Sequence, residues 1–412
     1  GSAYFFGIDA DYNGNLYLAG NSINHVYGDL NLDGNIVSSN NVPGYTFELS
    51  LLAKLGNAFT PPTAPGCTDS TAVNYDPLAT VDDGSCCYSS WGNVWNQIGQ
   101  DIDGQNQNDY FGHSVSMNYD GSIVAIGTPF NDDNGQWNGQ VRIFENNNGL
   151  WVQKGGDING GGNPAQNLLY HKLGYSVSLN NDGNTVAIGA PGGGYVEIYN
   201  WDGSSWNQIG SSIIYTGSWD REFGHSISIS SDGFTLAIGA PEGDGNGTNS
   251  GFVRVYNFDG NSWIQLGSDI DGESANDFSG WSVSLSSDGS KVAIGAYNND
   301  GNGASSGHVR IYDWNGNSWI QLGQDIDGEA ALDNSGYSVS ISSDGNIVAI
   351  GAESNNGNGI ESGHVRIYDW NGSSWNQIGQ DIDGISGSAN GYAGDRFGTF
   401  VSINSDGNTV AI

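Results

Sequence analysis

The sequence predicts an all-β protein, a β-propeller built of four-stranded antiparallel blades, on three observations. One phrase recurs along the chain: NYDGSIVAIGTPF at 118–130, NNDGNTVAIGAPG at 180–192, SSDGFTLAIGAPE at 230–242, SSDGSKVAIGAYN at 286–298 and SSDGNIVAIGAES at 342–354, with NSDGNTVAI at 404–412. The copies are spaced by roughly 56 residues, and Trp95, Trp151, Trp206, Trp263, Trp319 and Trp375 mark the period; such a period signals a repeat architecture. Composition agrees. Glycine is abundant at 66 residues and proline scarce at 9, while 13 Trp and 20 Tyr supply apolar mass that a disordered chain lacks.

Each element of one unit, 282–323, follows from its own pattern. SVSLSS alternates apolar and polar residues, as a strand does. The DG that follows is a tight turn. SKVAIGA is a second strand, with Val292 and Ile294 on one face and Ala293 and Gly295 on the other. YNNDGNGASSG is a loop, HVRIYDW a third strand, NGNS a turn and WIQLGQDI a fourth strand. Four antiparallel strands, repeated, make a propeller blade. A blade packs on neighbours at both faces, so the small row of Ala and Gly leaves room for aromatics such as Tyr312 or Trp319 from the next unit.

FGHSISISSDGFTLAIGAP at 223–241 carries Phe-Gly and Gly-Ala-Pro at the spacing of FG-GAP repeats. Over about 95–412 the chain resembles the propeller of integrin α subunits, and more closely the shorter FG-GAP variants of secreted microbial proteins. One feature departs from that family: its calcium loop between the first two strands is replaced here by a short SSDG hairpin, so calcium is not expected there. Trp95 to Ile102 reads as a fourth strand without its first three, and 400–412 as two strands without their third and fourth. Pairing of these ends in one blade is the expected closure. The ring would have seven blades when complete, with six as the alternative, and the chain reads as part of a longer protein.

The expected organisation is a blade-like segment at 1–60, an acidic linker at 61–90 and the propeller at 91–412, C-terminally incomplete. GIDADYNGNLYLAGN and ELSLLAKLGNAF resemble a different propeller repeat, the SBBP-type blade. Within this segment DLNLDGNIVSSN places Asp29, Asn31, Asp33 and Gly34 as an EF-hand loop would, but Asn40 stands where Glu is needed, so a polar hairpin is the plainer reading. APGCTDSTAVNYDPLATVDDGSCCY at 64–88 resembles a module between domains of secreted marine bacterial proteins, with similarity to thrombospondin type-3 calcium repeats. That resemblance implies a disulfide from Cys67 to Cys86, with Cys87 as the alternative partner, in an oxidising setting. It also implies calcium at Asp69, Asp76, Asp82 and Asp83, against which stands a simple role as turn formers.

The formal charge of −35, from 45 acidic and 10 basic residues, excludes nucleic acid and anionic membrane surfaces as partners, since both require clustered Lys and Arg. No apolar run reaches the roughly 18 residues of a membrane helix. His113 and His225 recur in FGHS, and His308 and His364 in GHVR, which reads as scaffold. Arg142, Arg254, Arg310 and Arg366 recur in the third strand and need partners, for which an Asp of the neighbouring DIDG segment is the candidate; Glu197 replaces Arg in the second unit. Asp269, Asp271, Glu273 and Asp277, and again Asp325, Asp327, Glu329 and Asp333, are acids dense enough for calcium, with turn capping as the competing role. No nucleophile elbow, phosphate loop or zinc spacing appears.

Variable loops on a repeated scaffold are where recognition is built. The expected function is therefore a non-catalytic adhesion or structural module of an extracellular, cell-surface or filament protein, binding other protein subunits or cell-surface ligands and assembling as a homo-oligomer. The alternatives are a glycan-binding, lectin-like propeller and, third, a polysaccharide-active enzyme. A lectin needs an exposed aromatic ringed by amides; an enzyme needs a carboxylate pair or metal facing one cavity.

Overall fold

The computed structural model describes residues 97–161, 170–217, 222–384 and 394–412, together with the strand backbones at 3–10, 16–22, 53–54, 65–66 and 81–82. The Cys67, Cys86 and Cys87 pairing, the acids Asp69, Asp76 and Asp83, the side chain of Asp82 and the loop 29–40 lie outside the described residues.

Five blades follow one another, and the fourth shows the pattern. Its inner strand is Ser282–Leu285, its second Lys291–Ala296, its third His308–Trp314 and its outer strand Trp319–Gln321. All pair antiparallel, with Val283 opposite Ile294, Ile294 opposite Arg310 and Tyr312 opposite Gln321. WIQLGQDI is not one strand. It breaks after Gln321 and resumes at Ile326–Asp327, which pairs with the other end of the third strand. Gly323 explains the break: its φ of +79° lies in the left-handed region, which turns the chain off the ladder.

The recurring Ser-x-Ser of each inner strand stitches one blade to the next. Ser226 Oγ donates to the Gly280 carbonyl at 2.7 Å, and Ser282 Oγ to that of Gly336 at 2.9 Å. The second serine accepts: Leu285 N–H bonds Ser228 Oγ and Ile341 N–H bonds Ser284 Oγ. The marker tryptophans reach back one blade, as Trp319 Nε1 donates to the Leu266 carbonyl at 3.0 Å. At the turn end a chain of backbone bonds circles the axis, from Tyr119 N–H to Asn181, then Ser231, Ser287, Ser343 and Ser405. The small row has two tasks. Ala237 shares a core cluster with Tyr312 and Trp319 of the next blade, as expected. Gly295 instead makes way for backbone, because a Cβ there would collide with the Gly336 carbonyl.

The closure differs from the expected one. Residues 97–102 form no strand; Ile98 and Gln100 dock on Trp151 through the indole N–H and the Gln100 amide. It is Ala53–Lys54 that pairs with Thr409–Ala411, the second strand of a sixth sheet begun by Ser402–Ile403. The hairpin of Ala3–Ala10 with Leu16–Ser22 forms a further sheet. Its first strand packs against Ser114–Met117 of the first blade on one side and Ser402–Ile403 on the other. Seven sheets thus follow one another among the described residues. A separate parallel pair joins Pro65–Gly66 to Val81–Asp82.

Candidate functional site

The end of the ring opposite the turns carries the loops between second and third strands, and four of these share one scaffold. In each an Asp or Asn side chain accepts the N–H five residues on: Asp132 from Trp137, Asp244 from Asn249, Asp300 from Ser305 and Asn356 from Glu361. Each passes through a glycine of positive φ, from Gly135 at +122° to Gly359 at +142°, where a side chain would be strained. Each apex residue lies at φ between +50° and +53°. The apex carbonyl is held in turn by the connection to the next blade, as Lys172 N–H bonds Trp137 O and Phe278 N–H bonds Asn249 O. The backbone is therefore fixed, while the displayed side chain is Trp, Asn, Ser or Glu.

The apolar display is concentrated on the first blade. Trp137 and Tyr170 are each 40 % exposed and stand edge to face with centroids 5.0 Å apart. Tyr170 Oη donates to Gln136 Oε1 at 3.4 Å. From there aromatics continue inward: Phe130 lies 5.5 Å from Trp137 and 6.5 Å from His113. His113 begins a girdle with one member per blade, passing to Tyr175, His225, Trp281 and Tyr337 with centroid spacings of 4.6, 5.1, 4.4 and 5.5 Å. His225 Nδ1 lies 3.1 Å from Glu222 Oε2, and that hydrogen bond holds Glu222 below the usual carboxylate range. Burial, aided by His225 and Lys172, pushes His113 down to about 4, so its ring is neutral at neutral pH.

The histidines of GHVR lie elsewhere, at the junctions between blades. His308 and His364 are each 1 % exposed. His308 Nδ1 is 3.9 Å from Glu273 Oε2 of the preceding connection and 4.0 Å from Asp325 Oδ2 of its own blade. His364 repeats this with Glu329 and Asp381, both at 3.9 Å. The acids of one DIDG segment therefore point to different partners. Glu273 turns to His308, whereas Asp277 caps its turn by accepting from Ser274 N–H and Asn299 Nδ2; Asp333 likewise accepts from Ala330 N–H. The sequence signal for these clusters was present, since His and the preceding Glu occur together only in the last two complete units.

The arginines do meet the neighbouring DIDG, but through its backbone. Arg310 and Arg366 donate to the carbonyls of Asp271 and Asp327 at 2.8 and 2.7 Å, and Arg142 to that of Asp103. Arg254 has Ile214 where the others have that Asp, and it pairs bidentately with Asp269 of its own blade at 2.9 Å.

At the turn end, the serine turns and Met117, Leu285 and Ile341 enclose about 140 Å³. That is smaller than the ~300 Å³ or more of a typical ligand pocket. No helix among the described residues is long and apolar enough to cross a membrane.

Two stretches, 103–144 and 270–312, match the family model of the FG-GAP repeat. Each runs through the first two strands of one blade and into its third, in the first blade and the fourth respectively, so the propeller has FG-GAP repeat character. No curated protein sequence matches the chain. Solved structures similar to it include a protein assigned as a 6-phosphogluconolactonase in Bacteroides uniformis, with TM-score 0.49 and 13 % identity over 71 % of this chain and 75 % of that one. A second, from Bacteroides fragilis and assigned likewise, has TM-score 0.46 and 13 % identity over 71 % and 74 %. The Cps50 (Swd1) β-propeller domain of Myceliophteria thermophila has TM-score 0.40 and 12 % identity over 59 % and 66 %.

Proposed function

We propose that this chain is a non-catalytic interaction module of an extracellular, cell-surface or filament protein, and that it engages other protein subunits through its loop face. The observation that carries this reading is the shared loop scaffold with a different residue at each apex: Trp137, Asn249, Ser305 and Glu361. A fixed backbone with variable display suits recognition, because little ordering entropy is lost on contact. Exposed Leu332 and Ile360 extend the apolar display beyond the first blade. FG-GAP repeat character supports the same reading. Calcium and the Cys67 disulfide belong to this proposal as features of the linker.

The second reading, a glycan-binding propeller, is favoured by Trp137 and Tyr170, an exposed aromatic pair beside the Gln136 amide. Sedimentation of the full chain in calcium-containing, seawater-strength buffer, run beside a glycan array, separates the two. The interaction reading expects concentration-dependent self-association that Leu332→Ser with Ile360→Ser weakens. A monodisperse monomer that binds a small glycan, and loses it with Trp137→Ala, favours the lectin. Turnover of a polysaccharide would overturn both.

A further inference from the structure

We propose that Glu273, His308 and Asp325, and their repeat equivalents Glu329, His364 and Asp381, form two zinc-type divalent metal sites at successive blade junctions. In each set the three ligand atoms lie within 4.8 Å of one another. An equilateral triangle with the 3.9 Å side measured from His364 Nδ1 to either carboxylate has its centre about 2.3 Å from each corner, slightly beyond the ~2.0–2.2 Å of zinc–nitrogen and zinc–oxygen bonds, so a bound zinc draws the carboxylates in by a few tenths of an ångström.

The side chains are held for this arrangement. Glu273 offers one oxygen to Arg310, 3.6 Å away, and turns the other to His308. Asp325 accepts Gln321 Nε2 on Oδ1 and turns Oδ2 to the ring. Gln377 anchors Asp381 in the same way at 2.6 Å. Such outer contacts orient metal ligands. His308, though fully buried, makes no hydrogen bond at either ring nitrogen. A buried polar group without a partner is costly and rare, and this one faces two carboxylates at a distance too long for hydrogen bonding.

The other three junctions are the internal comparison. Where His308 stands, the first blade has Gln140, whose amide contacts Asp157 and Asn159 directly at 3.3 and 3.1 Å. The second has Tyr195, and the third Phe252, packed at a tilt against the rings of Tyr215 and Phe223. The positions equivalent to Glu273 are then Gln105, Gly161 and Thr216. Histidine and glutamate thus occur together, at these two junctions only among the five blades, and there both ring nitrogens of His308 and Nε2 of His364 lack a hydrogen bond. One imidazole and two carboxylates suit zinc better than calcium, which takes more, and all-oxygen, ligands.

The test uses the full chain, stripped with a chelator and with its thiols blocked by iodoacetamide. Calorimetric titration with ZnCl₂ should show two sites that His308→Gln with His364→Gln removes, and one that either single change removes. Because Glu273 and Glu329 are 43 % and 46 % exposed, Glu273→Gln with Glu329→Gln keeps the fold. That pair should weaken zinc by at least about tenfold, with an unchanged circular dichroism spectrum and apo melting temperature. Co²⁺ should give a visible band of nitrogen and oxygen coordination, absent from the double histidine variant. Equal zinc stoichiometry and affinity in the parent and both double variants would overturn the proposal, as would calcium displacing zinc from these residues at equal concentration.

Discussion

Gly295→Ala isolates what the smallest residue of the repeat does. Gly295 has an ordinary negative φ, so alanine meets no backbone strain; the obstacle is the next blade. Its new Cβ would fall on the Gly336 carbonyl and on Ser282 Oγ, the acceptor and the donor of a 2.9 Å hydrogen bond between blades. Forcing a methyl into a packed junction costs about 1–3 kcal/mol. Loss of the hydrogen bond adds about 1 kcal/mol. Restriction of the unfolded chain returns roughly 0.4–1 kcal/mol. The net expectation is a destabilisation of about 1–3.5 kcal/mol, a large share of the ~5–15 kcal/mol that holds a typical fold. Urea unfolding followed by tryptophan fluorescence measures it, with Gly156→Ala as the control. A Cβ at Gly156 meets nothing within 4 Å, so that change should be neutral or slightly stabilising. Equal midpoints for Gly295→Ala and the parent, or equal losses for both variants, would refute the account of the small row.

Acid should weaken the protein through His113, whose ring binds a proton near 6.5 when unfolded but only near 4 when buried beside His225 and Lys172. Between those values the unfolded state holds more protons, so this stability is complete above about 6.5 and is lost as pH falls toward 4; His113→Phe should flatten the melting temperature across that window. Deletion of residues 1–60 removes the partner of Thr409–Ala411 and the strand beside Ser114–Met117, and should raise amide exchange at both. Mass spectrometry of unreduced protein should find Cys67 bridged to Cys86 or Cys87, and three free thiols would remove the extracellular argument. EDTA should lower the melting temperature where calcium holds Asp69, Asp76, Asp82 and Asp83, and an unchanged value would return them to turn forming.

Strand positions were legible because each rests on local pattern: VAIGA and HVRIYDW occupy the second and third strands in every complete blade that carries them. Local alternation marks Ser282 and Ser284 as the polar positions of a strand but does not reveal that both bond the next unit. The break at Gly323 was hidden because its φ depends on the turn it serves. Acids close in sequence were grouped as one candidate site, but the junction takes Glu273 from one unit and Asp325 from the next, on either side of His308. The closing contact escaped for a similar reason. Ala53–Lys54 belongs to a segment of different consensus, so repeat alignment could not place it against Thr409–Ala411.

The stitching described above has a mechanical consequence. From the first blade to the fifth every junction carries the same four bonds, as between the third and fourth: Ser226 to Gly280, Leu285 to Ser228, Trp319 to Leu266 and Ser231 to Ser287. The contact at 53–54 is only two residues long, Ala53 with Val410 and Lys54 with Thr409. Ala3–Ala10 adds packing on Ser114–Met117 and Ser402–Ile403 but no strand pairing with either, so under tension between the two ends of the ring these closing contacts yield first, and the blades then peel away one by one against nearly equal resistance. Each releases about 56 residues, or roughly 190 Å of extended chain. A ring of nearly equal links with a weaker closure gives way to a pull in steps of similar length rather than all at once.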